Sequence, residues 1–351
     1  MTTLFKKYKK CTLIVTLLFI VIIAGVYNKK IIVYGFKQGK GQLNILCNRE
    51  PIPKFLKRSS LSEEEIYKIE LIEEIVNFAV DELGLDDNGA YRTIYDQQNR
   101  PLLYLVTAAP EFSLSPYRWD FPIVGSFSYL GFFDLDDARE EAKALEKKGY
   151  DVRIREVSAW STLGYFKDPI FTGMLKRSEG SLANLIIHEM THGTIFVKNN
   201  MRFNENIATF IGDTGAILFL KKRYGNDSHY LKNHINSQQD RDLFYNHIMS
   251  ETKKLKELYE TFDDTMTYEQ KKEQKDNMIR SIMQSIADIP FNDPSNYENL
   301  KNYRPTNAWF TGYLTYRADL SKIADIYSDN YHSDLRLFVE ALKEKKEGIL
   351  N

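Results

Sequence analysis

Apolar and polar positions follow one another along this chain with periods that change from segment to segment, and those changes divide it. The first segment has no polar face at all. Cys11 to Tyr27 is an uncharged run of 17 residues, preceded by Lys6-Lys7 and Lys9-Lys10 and followed by Lys29-Lys30. That is the short end of what spans a bilayer. The basic residues before it predict a cytoplasmic amino terminus (residues 1–10) and the remainder of the chain outside the cytoplasmic membrane. Ala24-Gly25 also suits a cleaved signal peptide, which leaves anchor and signal segment as alternatives. Residues 28–60 read as a juxtamembrane linker, with Ile31 to Phe36 and Gly39 to Cys47 apolar enough to continue as helix or to lie against a folded part.

A helical period begins at Ser62. Ser62-Glu63-Glu64-Glu65 is a capping box, and Ile66, Ile69, Ile72, Ile75, Val76, Ala79, Val80 and Leu83 repeat at helical spacing up to Gly84. Leu102 to Ala108 reads as a strand stopped by Pro110, and Phe121 to Phe133 as a bent strand or hairpin broken at Gly125 and Gly131. Asp134 to Lys148 has acids at its start and Lys147-Lys148 at its end, as a short surface helix would. Val152, Ile154 and Val157 then alternate with Arg153 and Arg155 in a half-exposed strand. Beyond residue 220 the pattern is helical. Tyr230 to Phe262 and Thr267 to Ile286 carry a thin apolar face and read as a hairpin resting on a core. A proline-punctuated loop, Asp288 to Pro305, leads to helices over Thr306–Tyr327 and Asp334–Lys345.

The chemistry is concentrated between Leu182 and Leu220. His188-Glu189-Met190-Thr191-His192 has the H-E-x-x-H spacing, within apolar positions Leu182, Leu185, Ile186, Ile195 and Phe196. Four residues is about one helical turn, so both imidazoles face one point and can ligate one metal ion. Glu189 then lies beside the coordination position left open, where a water needs a base. A third ligand is required, and Glu205 is placed to supply it. The first helix is expected to run to about Val197, to turn at Lys198-Asn199-Asn200, and to be followed by a second helix from near Phe203. Glu205 then returns to the level of the histidines. Ala208 permits close helix approach, and Thr209 is placed to hydrogen-bond a ligand. The competing reading is a structural helix with a buried histidine pair. His229, His234, His247 and His332 have no ligand spacing among them.

Further segments carry a resemblance. They are Gly41-Gln42-Leu43, Asp87-Asn88-Gly89-Ala90-Tyr91-Arg92, Ala108 to Leu114, Phe121 to Gly125, Tyr129-Leu130-Gly131-Phe132-Phe133 and Ser161 to Pro169. With the metal segment, Asn204-Glu205…Ala208-Thr209 and the late Asn307-Ala308…Thr315-Tyr316, the chain resembles the bacterial predicted-aminopeptidase family from about Tyr34 to Leu342. Many members begin with a lipoprotein signal, whereas this chain lacks a cysteine at the equivalent place.

The resemblance implies an α+β, zincin-like metallopeptidase core with a small sheet and an H-E-x-x-H helix, at residues 61–225. A mainly helical C-terminal subdomain, 226–351, would follow. It implies a gluzincin-like site holding one Zn²⁺ on His188, His192 and Glu205, with Glu189 as general base. Tyr316, in the Asn-Ala…Thr-Tyr segment, becomes the candidate donor to the oxyanion. Asn307 supports the site or caps a helix. A sheet edge beside the metal helix, at Val152–Val157 or Ser158–Gly164, would pair with substrate backbone. Gripping a substrate α-ammonium takes carboxylates; the G-x-M-E-N element that does so in well-known gluzincin aminopeptidases is absent, leaving Glu111, Asp120 and Asp168 as candidates.

Composition changes this picture little. A net charge of −1 argues against nucleic acid as a partner, and two cysteines are too few for a disulfide scaffold or a cysteine zinc site. The expected partners are a peptide or protein substrate and a membrane. The function expected is a membrane-anchored zinc peptidase, with aminopeptidase and endopeptidase action both open. The alternative is a non-catalytic envelope protein in which a metal staples two helices.

Overall fold

From the amino terminus the order is α1 (Lys29–Asn48), β1 (Glu50–Pro51), α2 (Ile52–Arg58), α3 (Glu63–Asp81), β2 (Thr93–Tyr95), β3 (Leu103–Pro110), β4 (Trp119–Phe121), β5 (Gly125–Phe127) and β6 (Leu130–Phe132). Then come α4 (Leu135–Glu146), β7 (Tyr150–Val157), β8 (Ile170–Phe171), α5 (Glu179–Thr194), α6 (Met201–Tyr224), α7 (His229–Glu260) and α8 (Tyr268–Ser285). Short α9 (Asn307–Thr311), α10 (Leu320–Tyr331) and α11 (Leu335–Lys345) close the chain. This computed structural model describes residues 29–59, 61–121, 125–157, 167–198, 200–314 and 320–350. The apolar run at 11–27 therefore lies outside the described residues. None of the described helices is long and apolar enough to cross a membrane.

The fold is mixed α and β, mostly helical with small sheets. It divides into two compact units. One comprises the described part of Met1–Asn48 with Asp120–Ser126, where Tyr34 meets Phe121 with ring centroids 5.7 Å apart. Within residues 28–60 the chain forms helix α1, then β1 and α2, helix being one of the two forms expected for Ile31–Phe36 and Gly39–Cys47. The other unit is Arg49–Trp119 with Phe127–Asn351, and residue 225 lies within it.

In the larger unit the main sheet is antiparallel in the order β6-β3-β7. Its register pairs Val106 with Ile154 and Ala108 with Val152 on one face, and Leu105 with Arg155 and Thr107 with Arg153 on the other. Alternation puts each of these pairs on a single side. Helix α4 packs on β3 and β7 and buries Ala138, Ala142 and Leu145. It starts where the acids predicted, because the Asp134 side chain accepts from the backbone N–H of Asp136 and Asp137 at 2.8 and 3.3 Å. Pro110 does not stop β3 but ends it in register with Tyr150. The expected hairpin over 121–133 is split among β4, β5 and β6, with Gly125 at a φ of +89°.

Helix α3 confirms its capping box. Ser62 Oγ accepts from Glu65 N at 3.2 Å, and Glu65 accepts from Ser62 N at 2.9 Å. Its buried stripe, Ile69, Ile72, Ile75, Val76 and Ala79, packs on α5. Helices α10 and α11 bring Tyr327 and Phe338 onto Phe210 of α6.

The α7–α8 hairpin has more than a thin apolar face. Phe244, Ile248, Leu255, Ile279, Ile282 and Met283 close a second core with Leu114, Trp309 and Phe310. Asn307 joins this core to the sheet. It is not the cap itself but follows the cap residue Thr306, and it is wholly buried. Its Nδ2 donates to the carbonyls of Pro110 and Glu111 at 3.0 and 2.8 Å, and its Oδ1 accepts from Tyr259 Oη at 2.8 Å. Beside it, buried Lys275 bonds Asp151 at 2.6 Å, and the same carboxylate oxygen accepts from Asn307 N at 2.8 Å. Asn307→Leu leaves these buried partners unmade, each costing about 1–3 kcal/mol. We expect a clear drop in the urea midpoint; a midpoint within error of wild type would refute the role.

Candidate metal centre

Helices α5 and α6 form an antiparallel pair, and their contact face builds the site. Ser178 caps α5, with its side chain accepting from Ser181 N. Buried Lys68 of α3 fixes that end by bonding Arg177 O and Glu179 Oε1, both at 2.8 Å. On α6 the facing residues are Glu205, Ala208, Gly212 and Gly215. A Cβ on Gly212 would stand 3.0 Å from Asn184 O and 3.1 Å from His188 Cβ; one on Gly215 would stand 3.1 Å from Ile187. The small-residue approach expected at Ala208 thus extends over two further turns.

The connection is placed differently from what the sequence suggests. Helix α5 ends at Thr194, not near Val197, and α6 begins at Met201, before Phe203. Two threonines and Ile195 mark the early end. Ile195 turns extended, at φ −125° and ψ 106°, while Thr191 and Thr194 bond back to the carbonyls of Ile187 and Met190. Ile195 is buried beyond the helix and Phe196 is exposed. Asn200 starts the next helix instead of ending the first; its side chain accepts from Phe203 N at 3.1 Å. Asn204 then locks the turn. Its Oδ1 accepts from Val197 N and its Nδ2 donates to Val197 O, both at 2.9 Å. Those two bonds set the register of the residue after it, Glu205.

The result is a convergence of three side chains. His188 Nε2 and His192 Nε2 are 3.2 Å apart. Glu205 Oε2 lies 3.7 Å from the first, and Oε1 lies 3.5 Å from the second. All the ligand-type atoms fall within 4.8 Å of one another, and no other such group occurs among the described residues. Ligand atoms about 2.0–2.1 Å from a tetrahedral zinc are about 3.3–3.4 Å apart, so these separations fit an ion between them.

Electrostatics agree with that geometry. Burial, aided by the charge of His192, lowers the His188 pKa to about 3, and burial lowers that of His192 to about 4. Both rings are therefore neutral near pH 7, with nitrogen lone pairs to give. A hydrogen bond from the His188 ring to the Ala208 backbone orients that ring. The partner is thus Ala208, and no hydrogen bond joins Thr209 to the three side chains. His192 Nδ1 is buried without a partner among the described residues. Burial raises the Glu205 pKa, the sign of a carboxylate lacking a counter-charge.

Around this centre stand groups that spacing could not reveal. Tyr91 is buried, holds a φ of +60°, and donates its backbone N–H to Asp168 O at 2.7 Å. Burial and the carboxylates of Glu189 and Asp168 push its hydroxyl pKa well up. It is positioned by the Asp87–Arg92 turn, in which Asp87 and Asn88 accept from the N–H groups of Gly89 and Ala90. Arg177 also lies in the field of Glu189, and its Nε is buried without a partner among the described residues. Tyr129 is raised by burial and by Glu205. Of the carboxylates considered for an α-ammonium, Glu111 is bound by Tyr268 at 2.8 Å, and Asp120 is exposed. Asp168 is buried and shares Tyr91 with Glu189. Tyr316 and residues 158–164 lie outside the described residues. Of the other histidines, His234 is buried against Gly180, and His247 bonds Ser285 at 2.9 Å.

A helix pair carrying two neutral imidazoles and a carboxylate around one point, with a further glutamate beside the first histidine, defines a candidate metal centre of the kind used in hydrolysis. Residues 33–348 match the model of a family described as "Putative aminopeptidase". The chain belongs to that family. Comparison with curated proteins and with solved structures gave no match.

Proposed function

We propose that this protein is a zinc-dependent peptidase, held at a membrane through residues 11–27, with its catalytic part outside the cytoplasmic membrane. Family membership supports peptidase activity. The observation that carries the rest is the convergence of His188 Nε2, His192 Nε2 and the Glu205 carboxylate within 4.8 Å. Two imidazoles and a carboxylate suit zinc, and three protein ligands leave a position open.

His188, His192 and Glu205 would hold the ion, which when bound would acidify a water and polarise the scissile carbonyl. Glu189, next to His188 on α5, takes the proton of the attacking water on its carboxylate and passes it to the leaving amine nitrogen. Arg177 and Tyr91 shape the field in which that carboxylate works. Tyr316 donates a hydrogen bond to the oxygen that gains charge as the carbonyl is attacked. Asp168 is the carboxylate we assign to a substrate α-ammonium, because it shares a tyrosine with Glu189. The membrane part rests on the uncharged run after Lys6-Lys7 and Lys9-Lys10.

Elemental analysis of protein purified without chelators tests the centre. We expect one zinc per chain, largely lost in Glu205→Ala, together with cleavage of some member of a peptide library. Tyr316→Phe and Asp168→Asn should each slow that cleavage without removing metal. Metal content unchanged by Glu205→Ala would refute the ligand set, and unchanged rates would refute the two assigned roles. A compartment-sensitive reporter fused after Asn351 that is active only in the cytoplasm would refute the topology.

A further inference from the structure

The face of the β6-β3-β7 sheet turned away from α4 lines a cavity of about 380 Å³. Its polar lining includes Thr107 of β3, Arg153 and Arg155 of β7, Ser128, Tyr129 and Tyr313. The register explains why both arginines are there. They pair with Thr107 and Leu105 across the strand, two residues apart, so both point to this side while Val152 and Ile154 point to the other. No acidic side chain lines the cavity among the described residues, and neither guanidinium has a carboxylate partner there.

That arrangement is unfavourable for an empty site. Arg153 is substantially desolvated and lies in the repulsive field of Arg155, relieved by a hydrogen bond with Tyr303. Two like charges held side by side, one of them partly buried, repel each other unless an anion joins them. A guanidinium is matched to a carboxylate, whose two oxygens can take parallel N–H bonds. The cavity also lies within electrostatic reach of the metal centre. Tyr129, one of its walls, feels the charge of Glu205 on one side and of Arg155 on the other.

We propose that Arg153 and Arg155 form an anion subsite that grips a carboxylate of the peptide substrate, from a free C-terminus or an acidic side chain. The proposal rests on the peptidase reading for its ligand, but the subsite itself does not need the metal. A peptide anchored there and crossing the centre would extend along β7, whose outer edge is unpaired among the described strands. Short substrates carrying a carboxylate would then be preferred to the same peptides in neutral form.

The test is calorimetric binding to the full-length Glu189→Gln protein loaded with zinc, so that bound peptide is not consumed. Three N-acetylated tetrapeptides with otherwise neutral side chains are compared: one with a free C-terminus, one C-terminally amidated, and one amidated but carrying a glutamate. We expect a carboxylate peptide to bind at least tenfold more tightly than the neutral one, and the better of the two identifies the source. Arg155→Gln should abolish most of that preference, and so should Arg153→Gln, whereas Arg153→Lys should keep part of it. Arg155 is exposed, so its variant guards against loss of folding at Arg153. The same titrations on metal-free His188→Ala protein should retain the preference. No preference, a preference indifferent to both arginines, or one that vanishes with the metal would each overturn the subsite. A preference that persists in a protein that cleaves no library peptide would sink the peptidase reading and leave the subsite standing.

Discussion

Replacing Glu189 by glutamine should lower peptide turnover by about 10²–10⁴-fold, the usual contribution of a general base. The amide keeps the size of the side chain and can still donate or accept a hydrogen bond, but it cannot take up the water's proton. Metal content should hardly change, because the three converging ligand atoms belong to His188, His192 and Glu205. Thermal stability should also stay near wild type. His188→Ala gives the contrast, losing metal and activity together. Turnover by Glu189→Gln at a near wild-type rate would refute the mechanism. If no peptide is ever cleaved and removing the metal unfolds the protein, the ion is a staple between α5 and α6.

The second large effect is expected at Gly212, which touches no substrate. A methyl group alone would sit 3.0 Å from the Asn184 carbonyl and 3.1 Å from His188 Cβ. A leucine there must drive α6 away from α5, at about 1–3 kcal/mol for an overpacked contact. The displacement falls two turns beyond Glu205 on the same face, so it moves that carboxylate out of line with the imidazoles. We expect zinc affinity to fall about 10–100-fold, the range seen when support for a ligand is lost. Competition with a chromogenic chelator measures it. Leucine at Gly225, which has open space around it, controls for a general effect of substitution, although its φ of +87° adds local strain. Equal zinc affinity in the Gly212 variant and wild type would show that the helix approach does not govern the centre.

The parts of this molecule that were readable in advance are those whose cause is local. Ser62 and Glu65 are three residues apart and cap α3 by themselves. The alternation through Val152, Arg153, Ile154 and Arg155 gave β7 its bounds, Tyr150–Val157, and His188 and His192 needed one helical turn to meet. Misplaced boundaries were decided by side chains bonding backbone. Thr191 and Thr194 bond back into α5, and Asn204 holds Val197, so the connection starts earlier than its polar residues imply. Asn307 was misread because its partners, Pro110, Glu111 and Tyr259, are remote in sequence. Tyr91, Tyr129 and Arg177 are single residues of common types, and only the tertiary fold puts them around α5 and α6. At Pro110 the expected stop of β3 is displaced by only two residues, since a proline is tolerated at the last rung of a ladder.

All three converging side chains come from one uninterrupted stretch, His188 to Glu205, closed by a turn that Asn204 fastens. Such a centre has little chain entropy to overcome before it forms, because the loop between its ligands is short. A helical hairpin of this kind assembles early and quickly compared with the β6-β3-β7 sheet, whose strands must find one another across longer separations. The ion could therefore be captured while the polypeptide is still emerging, before the sheet exists. If the protein matures across a membrane, as proposed above, metal supply at the moment of export, rather than in the finished fold, would decide how many molecules are active.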